Sequence, residues 1–226
     1  MGAALLAAAA CAGPSMERKE SVAHYKLGLS RLNDNDLQGA FVEFQKSLRL
    51  YQGDKEVYNA IGIVYMGLED YDSAEQSFKS AAAIDPSYSE AYNNICFIHA
   101  KKLDNEGAIT YCNKALENTL YTTPEKPFYT LGRVYYRMGN YEESIKNYLQ
   151  ATRRAPMWPQ PHYGAALAYN ASGNFGKAAE AVTRAVSLDG RFRGDRILAE
   201  SEFRKQVIMG GDDARDLKAL IEILKY

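Results

Sequence analysis

Few side chains in this sequence could act as nucleophiles, general bases or metal ligands. The 226 residues include 3 Cys and 3 His, without a Cys-x-x-Cys or His-x-x-x-His pair, so the spacing predicts no metal site. A hydrolase or transferase needs a nucleophile beside a base. His24, His99 and His162 instead stand at positions that Tyr or Phe fills elsewhere in the chain, which favours aromatic packing. We therefore predict that the protein is not an enzyme and has no small-molecule substrate.

Any binding residue must be positioned by a 34-residue helix–turn–helix unit. Residues Lys55 to Tyr88 are a complete copy of this unit. This stretch resembles a tetratricopeptide repeat at its characteristic positions, which are Tyr58, Ile61, Gly62, Tyr65, Ala74, Phe78, Ala81 and Pro86. The small residues among them predict a close approach of two antiparallel helices. The aromatic residues fill the space toward the next unit.

The pattern recurs five times, as the spacing of the eighth residue of each copy indicates. These residues are Gly28, Gly62, Cys96, Gly132 and Ala166, at intervals of 34, 34, 36 and 34 residues. The predicted repeats are 21–54, 55–88, 89–122, 125–158 and 159–192. Residues 193–226 are predicted to form two more helices, either a capping pair or a degenerate sixth repeat. The sequence therefore predicts an all-α fold, a right-handed tetratricopeptide-repeat superhelix.

Cys96 and Cys112 stand at positions 8 and 24 of the third repeat, equally far from its turn near position 16. Antiparallel helices would place the two side chains level with each other. In an oxidising compartment this arrangement predicts a disulfide, provided that the two Cα atoms lie within about 7 Å. The alternative is a pair of buried free thiols that pack as small hydrophobic residues.

The first helix of each repeat is expected to line the concave face of the superhelix through positions 2, 5, 6, 9, 12 and 13. The predicted partner-binding groove consists of Tyr25, Leu29, Leu32, Asn59, Ile63, Met66, Asn93, Asn94, Phe97, Tyr129 and Tyr136. Apolar and aromatic residues with interspersed amides suit an extended or helical peptide, whose main chain the Asn side chains could bind. The alternative is that some of these aromatic residues only pack along the groove.

Residues 1–20 are predicted to be a signal-type apolar segment followed by a short tether. The apolar run ends at Cys11 and is too short to cross a bilayer as a helix. Cys11 follows Ala9 and Ala10 and precedes Ala12, which resembles the cleavage site of bacterial lipoproteins. This resemblance implies a covalent lipid on Cys11 and sorting to the outer membrane. The alternative is an Ala-rich tail with an incidental cysteine.

The charge composition argues against nucleic acid as a partner. The chain has 27 Lys and Arg against 28 Asp and Glu. No run of basic residues is long enough to neutralise a row of phosphates.

At the third repeat and its insertion the chain resembles one family, the repeat-containing lipoproteins of type IV pilus biogenesis, the pilotins called PilF, PilW and Tgl. The matching residues are Tyr92, Asn93, Asn94, Ala115, Leu116 and the turn Asn118–Glu125, NTLYTTPE. The resemblance implies a non-enzymatic, lipid-anchored protein on the periplasmic face of the outer membrane. Its implied partner is the secretin of the pilus machine, which it helps to insert and multimerise, with no cofactor besides the lipid.

Two other readings of the chain remain open at this point. It could be a soluble cytoplasmic scaffold that binds a peptide of another complex, with Cys11 incidental. It could also be an exported adaptor in the assembly of cell wall or polysaccharide.

Overall fold

The computed structural model describes residues 14–210 and 214–226, and every regular element in these ranges is an α-helix. The helices are α1 (Pro14–Asn33), α2 (Leu37–Leu50), α3 (Lys55–Gly67), α4 (Tyr71–Ile84), α5 (Ser89–Lys101), α6 (Asn105–Leu116), α7 (Glu125–Arg137), α8 (Tyr141–Arg154), α9 (Pro159–Ala171), α10 (Phe175–Leu188), α11 (Arg196–Met209) and α12 (Ala214–Ile223). The prediction of an all-α fold is confirmed over the described residues. The predicted lipid-attachment residue Cys11 lies outside them.

The chain divides into two compact units, residues 1–98 and 99–226, and the division falls inside α5. In the first unit α1 packs against α2, and α3 packs against α4. In the second unit α7 packs against α8, and α9 packs against α10. Each of these pairs lies within one predicted repeat, so sequence neighbours supply most of the packing in both units.

A glycine of the first helix lets an aromatic ring of the second helix come close in several pairs. A Cβ atom added at Gly62 would lie 2.5 Å from Phe78 Cε1. The same addition at Gly132 would lie 2.7 Å from Tyr148 Cδ1. Both rings are almost completely buried, so neither can move aside without disturbing the core.

The second helix of each predicted repeat begins with the same turn. The residue at position 15 has a positive φ angle: Asn35 60°, Glu69 59°, Leu103 62°, Gly139 76° and Gly173 81°. The next residue is the N-cap, whose side chain accepts a hydrogen bond from a main-chain N–H three residues on: Asp36, Asp70, Asp104, Asn140 and Asn174. Each cap satisfies a donor that the helix leaves open and contributes about 1 kcal/mol.

Helices α11 and α12 complete the core of the second unit. Phe203 of α11 packs edge-on against Tyr163 of α9, with the ring centres 5.9 Å apart. Helix α12 contacts both α9 and α10. The buried cluster that they share contains Ala166, Leu167, Val182, Val186, Leu220, Ile221 and Leu224. The C-terminal helices therefore cover the last predicted repeat with apolar side chains.

We predict opposite effects for the same substitution at two helical glycines. Gly62→Ala should lower the free energy of unfolding by about 1–3 kcal/mol, because the new methyl group would overlap the ring of Phe78. Gly176→Ala, the matched control, meets no atom within 4 Å and should raise stability by up to about 1 kcal/mol. Urea denaturation followed by circular dichroism measures both, and an equal stability of the two variants would contradict the packing role of Gly62.

Candidate functional site

The predicted groove residues of the first unit form a row of half-buried side chains, which we call the first-unit surface. It consists of Tyr25, Leu29 and Leu32 on α1, Asn59, Ile63 and Met66 on α3, and Asn93, Asn94 and Phe97 on α5. Their spacing along each helix places them on one side of it, since residues three or four apart are neighbours on a helix. None of the nine is fully buried, and Ile63 is 38% exposed.

The α1 members of this surface also belong to the packing of the first unit. Tyr25, Leu29 and Leu32 pack against a buried cluster that includes Phe44 and Val57. One side of each residue is therefore held by the core while the other side remains accessible. Such a row is both rigid and apolar, and contiguous apolar surface commonly marks an interaction site. Packing and binding are thus compatible roles for the same residues.

Two amide side chains of the first-unit surface bind each other. Asn94 Nδ2 donates a hydrogen bond to Asn59 Oδ1 over 2.9 Å, which joins α5 to α3. An amide side chain offers two N–H donors and two acceptor lone pairs, so this bond uses only part of their capacity. The pair is thereby fixed in position with polar groups that a peptide main chain could engage.

One edge of the first-unit surface carries several charged residues, a feature that we did not predict. Burial raises the pKa of Tyr25, and the charges of Asp54 and Glu56 raise it further. Burial likewise raises the pKa of Tyr88 beside Glu90 and Glu56. The pKa of the Glu56 carboxyl is raised by burial and by its hydrogen bond with Asp54. Lys55 lies at the same edge, with its Nζ 4.9 Å from the centre of the Tyr88 ring and in an ion pair with Asp85, so the edge carries charges of both signs.

The signal for this edge was present in the sequence, but periodicity alone could not reveal it. Glu56 and Glu90 occupy position 2 of their repeats, which is one of the positions expected on the concave face. Asp54 lies one residue before its repeat begins and caps α3 by accepting from the N–H of Glu56. Only the fold brings Asp54 and Glu56 close to both Tyr25 and Tyr88.

The predicted groove residues of the second unit, Tyr129 and Tyr136, are half-buried and contact several other side chains. The ring of Tyr129 lies 4.8 Å from that of Trp158 and 6.0 Å from that of Tyr148. Tyr136 donates a hydrogen bond to Asp216 Oδ1 of α12 over 3.4 Å. Burial, together with the charge of Asp216, raises the pKa of Tyr136 to about 12. Asp216 is 80 residues from Tyr136 in the sequence, so no repeat spacing could have predicted this contact.

The three histidines are half-buried rather than part of the core, and each makes a polar contact. His24 Nδ1 lies 2.7 Å from a carboxylate oxygen of Glu43, and His99 Nδ1 lies 2.7 Å from one of Asp104. His162 Nε2 lies 3.3 Å from a main-chain oxygen, and burial lowers its pKa. The prediction of aromatic packing holds for His99, whose ring stacks on Tyr111 with centres 5.0 Å apart.

Cys96 and Cys112 are both completely buried, and both are in the disulfide-bonded state.

Within residues 14–210 and 214–226 no group of three His, Cys, Asp or Glu side chains is arranged to hold a metal ion. No helix in the same ranges combines the length and the apolar character needed to cross a bilayer.

Comparison with known proteins supports the repeat assignment. Residues 55–88 and residues 129–195 each match a model of the tetratricopeptide repeat. Superkiller protein 3 of Schizosaccharomyces pombe is 27% identical over 179 residues, which is 76% of this chain. The chain spans about 13% of the length of that relative, so the comparison concerns the repeats and not the whole relative.

Solved structures resemble the chain over most of its length. The pilF protein of Pseudomonas aeruginosa superposes with a TM-score of 0.74 at 18% identity, covering 90% of this chain and 89% of its own. PilW, described as a type IV pilus biogenesis factor, gives 0.71 at 19% identity, covering 89% and 92%. YrrB, described as having an unusual peptide-binding site, gives 0.60 at 21% identity, covering 84% and 95%.

At sequence identities of 18–21% the structural similarity establishes the fold but does not identify the binding partner. Tetratricopeptide repeats typically present surfaces for other proteins and are not catalytic. Protein–protein binding is therefore the general function that the fold supports. The chain is an all-α protein that contains tetratricopeptide repeats.

We predict that Cys96 and Cys112 are joined to each other in protein purified without reductant. Replacing both by Ala should lower the free energy of unfolding by about 3 kcal/mol, because the bond closes a loop of roughly 16 residues in the unfolded chain. Alkylation before and after reduction, with peptide mapping, checks the pairing. As a control, reductant should lower the melting temperature of the wild type and leave that of the double variant unchanged. Alkylation of both thiols without reductant would refute the bond.

Proposed function

We propose that the chain is a lipid-anchored assembly factor of the type IV pilus machine, a pilotin that promotes outer-membrane insertion and multimerisation of the secretin. In this proposal Cys11 carries the lipid, and the first-unit surface binds a secretin segment. The protein acts by binding alone, on the periplasmic face of the outer membrane.

The observation that carries the proposal is the likeness to PilF and PilW, which extends over about nine tenths of the chain. Repeat proteins with many different functions share parts of this fold, so structural similarity alone does not identify the function. A second feature, in the sequence, also supports the proposal. The turn Asn118–Glu125 joins the third predicted repeat to the fourth and resembles the corresponding turn of pilus lipoproteins. The cleavage-site pattern around Cys11 adds an anchor of the kind that such lipoproteins carry.

The start of the first helix limits how far a lipid on Cys11 could be from the binding surface. Helix α1 begins at Pro14, three residues after Cys11, and three residues reach at most about 11 Å. Leu29 lies 15 residues further along α1, which is about 23 Å at the rise of a helix. The first-unit surface would therefore be held within a few tens of ångströms of the bilayer, where a secretin segment has to enter.

The chemistry of the first-unit surface fits the task of shielding such a segment. Leu29, Ile63 and Phe97 offer partly exposed apolar side chains on three successive first helices. A secretin segment that will face lipid exposes apolar side chains before it inserts, and these are prone to aggregate in water. Binding on the first-unit surface would cover the segment until multimerisation buries it.

We predict that a charge in the first-unit surface abolishes this activity while the same charge elsewhere does not. Ile63→Asp should weaken binding of the secretin segment by about tenfold or more, since an apolar contact is lost and a carboxylate must be desolvated. The readout is the amount of heat-resistant secretin multimers on a gel. Val42→Asp on α2 is the matched control, because Val42 is 39% exposed and Ile63 is 38% exposed. Equal multimer levels in the two variants would contradict binding through this surface.

We further predict that the anchor is required. A deletion strain should lose secretin multimers, and wild-type protein should restore them fully. Cys11→Ala should restore them poorly, because the unanchored protein is no longer concentrated at the membrane. Fractionation should find the wild type with outer membranes and the variant in the soluble periplasm. Unchanged multimers in the deletion strain would reject the pilotin proposal altogether.

A further inference from the structure

The last helix of the chain lies against residues that we predicted to bind a partner. Asp216 of α12 accepts the hydrogen bond from Tyr136, a predicted groove residue on α7. The guanidinium group of Arg215 lies 5.8 Å from the centre of the same ring. Further along, α12 packs against α9 and α10. Part of the second-unit surface that repeat spacing assigned to partners is thus covered from within the chain.

Helix α12 is amphipathic, and its apolar side faces the second unit. Leu217, Leu220, Ile221 and Leu224 follow the spacing i, i+3, i+4 and i+7, and the last three are only 5–6% exposed. Lys218 and Glu222, on the other side of the helix, are exposed. An amphipathic helix that lays its apolar side into a groove is a common mode of peptide recognition. The structure therefore displays the kind of ligand that this surface accepts.

Helix α12 is short and is held by apolar contacts with α9, α10 and α11. The helix has 10 residues, which is too short to be stable in water by itself. Its polar contacts with α7 are one hydrogen bond of 3.4 Å and the half-exposed Arg215–Tyr136 contact. The attachment rests mainly on apolar side chains, of which Ile223 is completely buried, and on a hydrogen bond from Arg196 of α11 to the main-chain oxygen of Leu224. A second helix with the same apolar pattern could cover the same area.

We propose that the surface that α12 covers, formed by Tyr136 of α7 and by α9 and α10, binds an amphipathic helix of a partner protein, and that α12 is the built-in competitor of that helix. The partner helix carries Leu or Ile at i, i+3, i+4 and i+7, with an acidic residue just before the first of them to accept the hydrogen bond of Tyr136. The proposal goes beyond the pilotin function, since it concerns the second unit and holds for any such partner.

Because α12 and a partner helix would make similar contacts with this surface, we expect the two helices to exchange. The incoming helix buries the apolar area of α9 and α10 that α12 uncovers on leaving, so these contacts nearly balance. What favours α12 is its contact with α11 and its covalent tether, which gives it an effective concentration on the order of millimolar. Weakening the attachment of α12 should therefore increase the affinity for an added helix by about the same factor as its own docking is weakened.

The test measures binding of a labelled, N-acetylated peptide of residues 214–226 to the full chain by fluorescence anisotropy. The variant Leu220→Asp weakens the chain's own helix and leaves α7, α9 and α10 unchanged. It should bind the peptide at least about tenfold more tightly than the wild type does. The matched control Glu222→Gln alters the exposed side of α12 and should bind as the wild type does. A peptide that carries the same Leu-to-Asp change should bind neither protein.

A second measurement on the wild type guards against a variant that fails to fold. Hydrogen exchange of α12 amides should be faster than that of α9 amides, because α12 opens locally without unfolding the unit. Equal exchange rates in the two helices, or unchanged peptide affinity in a helical Leu220→Asp variant, would make α12 a fixed cap and overturn the proposal. If the full chain forms dimers and the peptide dissociates them, the surface binds a second copy of the chain. That result would also overturn the proposal.

Discussion

The contact between a glycine in the first helix of a repeat and an aromatic ring in the second is the constraint on which the rest of the structure depends. Gly28 with Phe44, Gly62 with Phe78 and Gly132 with Tyr148 place helix backbones closer than any side chain at the glycine would permit. Close packing of this kind fixes the angle between the two helices because ring and backbone interlock. This packing holds the first helices in similar orientations. Their predicted groove residues therefore lie in one row.

Sequence periodicity predicted those features that depend on a residue's place within a repeat. The helix pairs, the glycine contacts and the half-buried row from Tyr25 to Phe97 all follow from packing between neighbours in the sequence. Such packing is local, so a 34-residue pattern contains most of the information about it. The position-15 residues were harder to predict, since Glu69 and Leu103 adopt positive φ angles that usually call for glycine or asparagine.

What periodicity could not predict arises between residues that have no fixed spacing. The charged edge combines Asp54, Glu56 and Glu90 with Lys55 and two tyrosines, and the pKa shifts there depend on burial that only the fold provides. The contact between Tyr136 and Asp216 joins a repeat to a helix outside the predicted repeats. Tyr129 and Tyr136 are half-buried, as most residues of the first-unit surface are, but Tyr136 is in addition contacted by a helix outside the five predicted repeats. One sequence pattern therefore produces surfaces with different contacts in the two units.

The connection between α6 and α7 shows where this architecture tolerates changes in length. It contains the two extra residues Thr123 and Pro124 and has its own anchors, since Tyr121 is 8% exposed and the Asn118 side chain accepts from the N–H of Leu120. The N-caps of the second helices and the contacts of Gly28, Gly62 and Gly132 lie inside repeats, where an added residue would shift a side chain by about 100° around its helix. Insertions and deletions in related chains should accordingly accumulate at the joints between repeats. Aligned sequences of such relatives would then mark the borders of the repeats by their gaps.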